Sequence, residues 1–228
     1  MLIRGSFISD ARGSVGGVTA SRNRSGAYLR KRVKPTQVPS DPRSRARADL
    51  ASQASAWTAL TDAQRAAWNA VATTWTGVNK LGETIKLSGF NWFTKANATA
   101  ALAGTGPFTT APDTIPSTSL HPPTALVLDT SAHSVTATVD DTDPWAGDAD
   151  GRLLVFMTQG QNPGRISPNG GFTFVASFPG NTTPVSSITT ASLPVAVVEG
   201  RVYFFRFVAL DADGRVSAEV IQGVTATP

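Results

Sequence analysis

The chain has no cysteine and only two histidines, His121 and His133, in 228 residues. The missing cysteines exclude a disulfide framework, thiolate metal sites and thiol chemistry. Two isolated histidines leave little for imidazole metal sites or a His-based triad. Charged residues are also scarce, at 16% against a usual value near about 25%. No stretch approaches the roughly 18 to 20 apolar residues of a membrane span. The opening Met1-Leu2-Ile3-Arg4-Gly5-Ser6 lacks the apolar run of a secretory signal, so the expectation is a soluble chain made in the cytoplasm, with no membrane contact. Chemistry-bearing motifs are missing as well. No glycine loop leads into Lys-Ser or Lys-Thr as a phosphate cradle requires, and Glu199 and Glu219 make a weak pair for glycoside hydrolysis. These absences point away from an enzyme and from any cofactor.

What is present is a division of charge. Residues 1–100 carry 15 basic and 5 acidic side chains, net +10, while residues 101–228 carry 5 basic and 11 acidic, net −6. The formal charge of +4 describes neither half. The length suits one large domain or two of ordinary size, and the charge change argues for a divided chain.

Residues 1–40 are rich in Arg and Gly. Two β-tolerant runs, 15–22 and 27–33, flank the turn formers Asn23 to Gly26, which predicts a hairpin. Gly16 and Gly17 are expected to weaken its first strand. An isolated hairpin is marginal in water, so a partner should order this arm. Pro35 and Pro39 end it.

A helical region follows over 41–103. Ser40 or Asp41 can cap a helix with Pro42 in its first turn, and Ala46, Leu50, Ala54 and Trp57 recur along one face. Arg43, Arg45 and Arg47 crowd its opening turns, where positive charge opposes the helix dipole; they are better placed to meet an anionic surface. Thr61 and Gln64 stand at capping-box spacing, opening a second helix over 62–75 with Ala67, Val71 and Trp75 on one stripe and Trp68 beside it. The short connection predicts an antiparallel helical pair. Residues 79–87 suit a short hairpin, and Ser88 caps a third helix over 89–102 bearing Phe90, Trp92, Phe93 and Leu102.

Residues 104–123 hold five prolines and read as a semi-rigid linker. Beyond it, candidate strands lie at 124–129, 133–140, 152–158, 171–177, 184–189, 201–210 and 215–225. Seven short strands in about 100 residues is the number for an immunoglobulin-like or fibronectin type III-like sandwich. The fold class is therefore an α+β N-terminal region, a hairpin arm plus three helices, followed by an all-β sandwich over 124–228. Strand 201–210 places Tyr203, Phe205, Phe207 and Ala209 on one face, but Phe204 and Val208 make the other face apolar too, as if a neighbour covered it. Asp140, Asp141, Asp143, Asp148 and Asp150 do not match EF-hand spacing and read as a solvated loop in preference to a calcium site. His121 and His133 have no ligand or carboxylate partner at close spacing and read as surface residues.

Two resemblances follow from particular residues. The run Arg201-Val202-Tyr203-Phe204-Phe205-Arg206-Phe207-Val208-Ala209-Leu210-Asp211-Ala212-Asp213-Gly214-Arg215-Val216-Ser217 resembles the penultimate strand, turn and last strand of fibronectin type III modules, although strand 133–140 lacks the tryptophan usual in them. Residues 12–97 resemble a group of small proteins encoded in the structural gene clusters of tailed phages and prophages. The matching features are Gly13-Ser14-Val15-Gly16-Gly17, the basic run Tyr28 to Lys34, Trp57 with Leu60-Thr61 and Gln64-Arg65-Ala66-Ala67-Trp68, then Leu87-Ser88-Gly89-Phe90-Asn91-Trp92-Phe93 and Asn97.

The second resemblance implies a virion component, with no catalytic residue to carry over. The expectation drawn from it is a capsid decoration or cement protein, assembled in the host cytoplasm and resident in the virion. Its partners would be the major capsid protein and neighbouring copies of itself. A tail or head-tail junction component and a nucleic-acid-binding protein inside the capsid are the alternatives. The contact residues would be Arg22, Arg24, Arg30, Lys31, Arg32, Lys34, Arg43, Arg45 and Arg47, meeting either coat-protein carboxylates or phosphates; a solvated hairpin is the plain reading of the same run. Trp57, Trp68, Trp75, Trp92, Phe93, Tyr203, Phe205 and Phe207 are expected to be structural core.

Overall fold

The computed structural model describes residues 13–23, 26–33, 40–75, 77–78, 84–113 and 120–228. The chain divides into two compact units, Met1–Arg45 and Ala46–Pro228.

The first unit carries a three-stranded antiparallel sheet of β1 (Gly13–Val15), β2 (Val18–Asn23) and β3 (Gly26–Lys31) in that order. The sequence predicts two strands, with Gly16 and Gly17 inside the first. Instead these glycines turn the chain between β1 and β2, pairing Val15 with Val18. Gly16 sits at φ +56°, the left-handed conformation that a two-residue hairpin turn demands and that glycine adopts without penalty.

The next three helices are α1 (Asp41–Ala59), α2 (Asp62–Thr73) and α3 (Gly89–Ala103), with the short pair β4 (Gly77–Val78) and β5 (Thr84–Ile85) between the last two. Thr61 caps α2 through a complete capping box with Gln64. Ser88 caps α3, its Oγ accepting from Asn91 N, and Gly104 at φ +75° ends that helix. The stripe predicted on α1 is half-buried at its C-terminal end, at Ala54 and Trp57, and exposed at Ala46 and Leu50. Leu50 is 55% exposed, whereas Ala56 and Trp57 pack on the core of α2 and α3. On α2 the buried positions are Trp68 and Ala72, with Val71 and Trp75 at their margin, so the packed stripe is rotated from Ala67, which is exposed. On α3, Leu102 is half exposed.

All seven predicted strands of the C-terminal half form: β6 (Ala125–Asp129), β7 (Ser134–Thr138), β8 (Arg152–Met157), β9 (Thr173–Pro179), β10 (Ser187–Thr190), β11 (Val202–Leu210) and β12 (Val220–Thr225). They make two antiparallel sheets, ordered β10-β7-β6 and β12-β11-β8-β9. Three strands against four, with the first, second and fifth in one sheet, is a fibronectin type III-like sandwich. Tyr203 near the start of β11 adds a tyrosine corner: its hydroxyl accepts from Val198 N at 2.9 Å and donates to Ala196 O at 3.1 Å. The last strand begins later than predicted. Residues 216–217 pair with the end of β11, where Ser217 Oγ accepts from Ala209 N at 2.8 Å, and the ladder resumes only at Val220.

The apolar run Leu153 to Met157 has no polar alternation because both of its faces are buried. Leu153, Val155 and Met157 face the sandwich core, while Leu154 and Phe156 join Leu210, Val216 and the half-buried Val208 on the outer face, under Ala100 and Ala103 of α3. The neighbour that the sequence requires over Val208 is thus the chain's own third helix, whose alanines allow close approach. Phe204, 4% exposed, lies outside that patch, against Gly223. The domain is three layers deep.

The first part of the predicted linker is packed. Asn97, 2% exposed, receives Phe108 N on Oδ1 at 2.7 Å, while its Nδ2 donates to Phe108 O at 3.1 Å and Phe93 O at 3.0 Å. Trp68 Nε1 donates to Thr109 O at 3.2 Å. The Phe108 ring touches both the α1–α3 core and the layer beneath α3.

Candidate functional site

The sheet β1-β2-β3 separates two kinds of face, because directly paired residues share a side and successive residues alternate. Ser14, Thr19, Ser21, Tyr28 and Arg30 fall on one side; Val15, Val18, Ala20, Leu29 and Lys31 fall on the other. Val15 is 86% exposed and Val18 42%, so the apolar side presents uncovered surface. Arg30, Lys31 and Arg32 are exposed in succession, and no acidic residue occurs between Ala11 and Ser40. Among the described residues, none of these three cations has a carboxylate at ion-pair distance. The outer edges of β1 and β3 pair with no further strand among the described residues, leaving backbone donors and acceptors available for strand addition.

Of the predicted contact residues, Arg30, Lys31 and Arg32 therefore stand together. Arg22 lies on β2 opposite Ala27, and Arg24 and Lys34 lie outside the described residues. Arg43, Arg45 and Arg47 are exposed on the opening turns of α1, with Arg43 and Arg47 one turn apart on the same side; Asp41 gives that end its one favourable charge.

The predicted aromatic residues lie in two cores. Trp68 and Phe93 are each 1% exposed and meet edge to face at 5.6 Å, and Trp57 stands edge-on to Phe93 at 5.3 Å and to Phe90 at 5.7 Å. Trp75 meets Trp92 at 4.9 Å. Tyr203, Phe205 and Phe207 fill the sandwich core. The residues behind the phage-protein resemblance therefore include a helix cap, a close helix approach at Gly89, packed rings and the Asn97 clamp. These features build the scaffold of the helical region.

Four side chains depart from the sequence reading. Trp145, 0% exposed, supplies the sandwich core with a tryptophan from the β7–β8 loop instead of from β7. His133 does not begin a strand but occupies the β6–β7 turn at φ +49°. His121 does have carboxylate partners: its Nδ1 lies 2.7 Å from Asp143 and 3.6 Å from Asp140, and its backbone N–H also donates to Asp143 at 3.1 Å. Asp143 is consequently not a solvated loop residue; it is 1% exposed. The hydrogen bond to Asp143 and then its charge raise the His121 pKa, burial opposes them, and the charge of Asp140 adds the smallest contribution. Hydrogen bonds from Thr142 lower that of Asp140. No short motif could reveal a pair 22 residues apart. The arrangement ties the start of the sandwich to the β7–β8 loop, and His121 Nε2 makes no hydrogen bond among the described residues.

At the β11–β12 turn, Arg215 binds Asp213 at 2.7 Å and Asp211 at 3.3 Å. The Asp213 hydrogen bond is the main cause of its raised pKa. Among the described residues no three His, Asp or Glu side chains are grouped to hold a metal ion, and no helix is long and apolar enough to cross a membrane. The chain matches no protein-family model and no curated protein.

Proposed function

We propose that this chain is a structural protein of a tailed-phage virion, acting on the capsid as a decoration or cement protein that works by contact and performs no catalysis. The observation that carries the reading is the arm sheet: exposed valines on one side, Arg30, Lys31 and Arg32 in a stretch with no acidic residue between Ala11 and Ser40, and outer strand edges unpaired among the described residues. Such a surface gains from an acidic, strand-bearing partner. Carboxylates would neutralise the cations, an added strand would satisfy the edge groups, and covering the valines is worth about 25 cal/mol per Å² of apolar area removed from water. The major capsid protein supplies that partner in many copies, so a modest interface is multiplied by avidity when neighbouring copies also touch. The sandwich, with α3 packed on it as a third layer, is the displayed body.

The resemblance over residues 12–97 supports the virion assignment. The same cations favour, as a second reading, contact with packaged nucleic acid, whose phosphates would make binding fall steeply with salt. Quantitative mass spectrometry of purified particles, combined with labelling of the intact shell, tests the proposal. Shell-wide copy number on the outer surface supports cement; a few copies at the portal or tail supports a junction component; absence from the particle overturns the virion reading. Salt-dependent DNA binding by the full chain, weakened when Arg30, Lys31 and Arg32 are replaced by Ala, would favour the second reading.

A further inference from the structure

Helix α3 covers only part of the outer face of the sheet. Where it ends, a groove of about 390 Å³ opens between α3 and β11–β12, with Phe156 and Val208 in its lining, Lys95 and Leu102 on the helix side, and Arg206 and Glu219 on the strand side. Its charges do not balance. The Arg206 guanidinium stacks 4.2 Å from the Phe156 ring centroid and 5.0 Å from that of Phe172, which fixes its position. Its Nε is buried without a hydrogen-bond partner, and its Nη1 stands 3.6 Å from Glu219, a loose pair with a carboxylate that is 58% exposed.

Lys95 lies 5.3 Å over the Trp92 ring and has no carboxylate at ion-pair distance among the described residues. Burial of its ammonium lowers its pKa, only partly offset by the charge of Glu219. Two cations thus stand near one carboxylate above an apolar floor. Leu102, half exposed at the mouth, offers further apolar surface.

We propose that this groove is a binding site for a small amphiphilic monoanion, a carboxylate on a short hydrocarbon chain. The carboxylate would sit between Lys95 and Arg206, in competition with Glu219, and the hydrocarbon would lie along Phe156, Val208 and Leu102. One negative charge matches the surplus of one positive charge, and the volume lies at the lower end of small-ligand sites. Cationic and uncharged chains of the same length lack the charge that the site is built to receive.

The test is titration of the full chain with octanoate, octylamine and octanol as probes, read by calorimetry and by NMR shifts of residues beside Lys95 and Arg206. Octanoate is expected to bind with shifts confined to the groove, and octylamine not at all. Lys95→Met should weaken octanoate about tenfold, the worth of one charge-assisted contact. Glu219→Gln should tighten it several-fold by removing the competing carboxylate, a gain that a misfolded variant does not mimic. Absence of octanoate shifts in the groove, equal binding of octylamine, or an affinity unchanged in both variants would overturn the proposal.

Discussion

His121 shows how one side chain can join distant parts of the chain. Its ring sits between Asp143, whose side chain is fully buried, and the more accessible Asp140, and its pKa is raised above the ordinary histidine value of about 6.5. A group whose folded pKa lies above its unfolded one contributes stability that is complete below the unfolded value and disappears as pH rises through the folded value. Asp140 is shifted the other way. Its contribution is present above the unfolded carboxylate pKa and is lost as pH falls through the lower folded value. Comparing melting temperatures of the natural chain and His121→Gln across pH should therefore show the largest deficit in mildly acidic solution, below about pH 6 and above the carboxylate range, and a shrinking deficit towards alkaline pH. A deficit that stays constant from pH 5 to 9 would mean that the charge of His121 has no part in it. The sequence reading missed this pair because its members are far apart in the chain and share no motif.

At the scale of elements, the approach of α3 to α2 rests on Gly89. A Cβ built there would lie 2.6 Å from Asn69 Oδ1 and 2.7 Å from the backbone at Asn69 N and Trp68 C, so backbone would have to give way. Gly89 also donates its N–H to Asn69 Oδ1 at 3.2 Å. Replacing a helical glycine by alanine ordinarily gains up to about 1 kcal/mol of helix propensity, whereas forcing extra volume into a packed contact costs roughly 1 to 3 kcal/mol. Here the contact is with backbone and the cost wins. Gly89→Ala is predicted to lower unfolding free energy by about 2 kcal/mol in urea denaturation, and a neutral or stabilising result would show that the two helices separate freely. The start of this helix was legible, since Ser88 capping and the aromatic spacing are local signals. The demand for glycine was not, because it comes from α2, twenty residues away.

For the unit Ala46–Pro228 as a whole, the three layers are linked by Phe108. Its backbone is clamped by Asn97, and its ring packs on the helical core, on the layer under α3 and against Gly214, where an added Cβ would lie 2.9 Å from the ring. Gly214 holds φ +87°, so this turn favours glycine on two counts. A ring shared by the helical core and the outer face of the sheet should make helices and sandwich unfold together. Calorimetry is predicted to show one transition for this unit, and Phe108→Ala should cost about 2 to 3 kcal/mol, below the full range for a completely buried phenylalanine because Phe108 is only half buried. Separate melting of the helices and the sandwich in the unaltered chain would refute this linkage. The sequence suggested the opposite division because Pro, Thr and Gly over 104–123 look like a spacer. Composition reports the local stiffness of such a segment and not what its one phenylalanine touches.

The sequence by itself determined the seven strands, the three helices, the caps of α2 and α3, the opposed charges of the two halves and the run of cations in the arm. All of these arise from hydrogen bonding, periodicity and charge within a few residues. Only the tertiary structure decided that Gly16 and Gly17 turn the arm into three strands, that Trp145 fills the sandwich from a loop, that α3 forms a third layer, and that Lys95 and Arg206 face one groove. The last three depend on side chains brought together from distant positions, whose burial and charge balance exist only once the layers have packed. The extra strand depends on pairing across the sheet, which a single stretch of sequence does not specify.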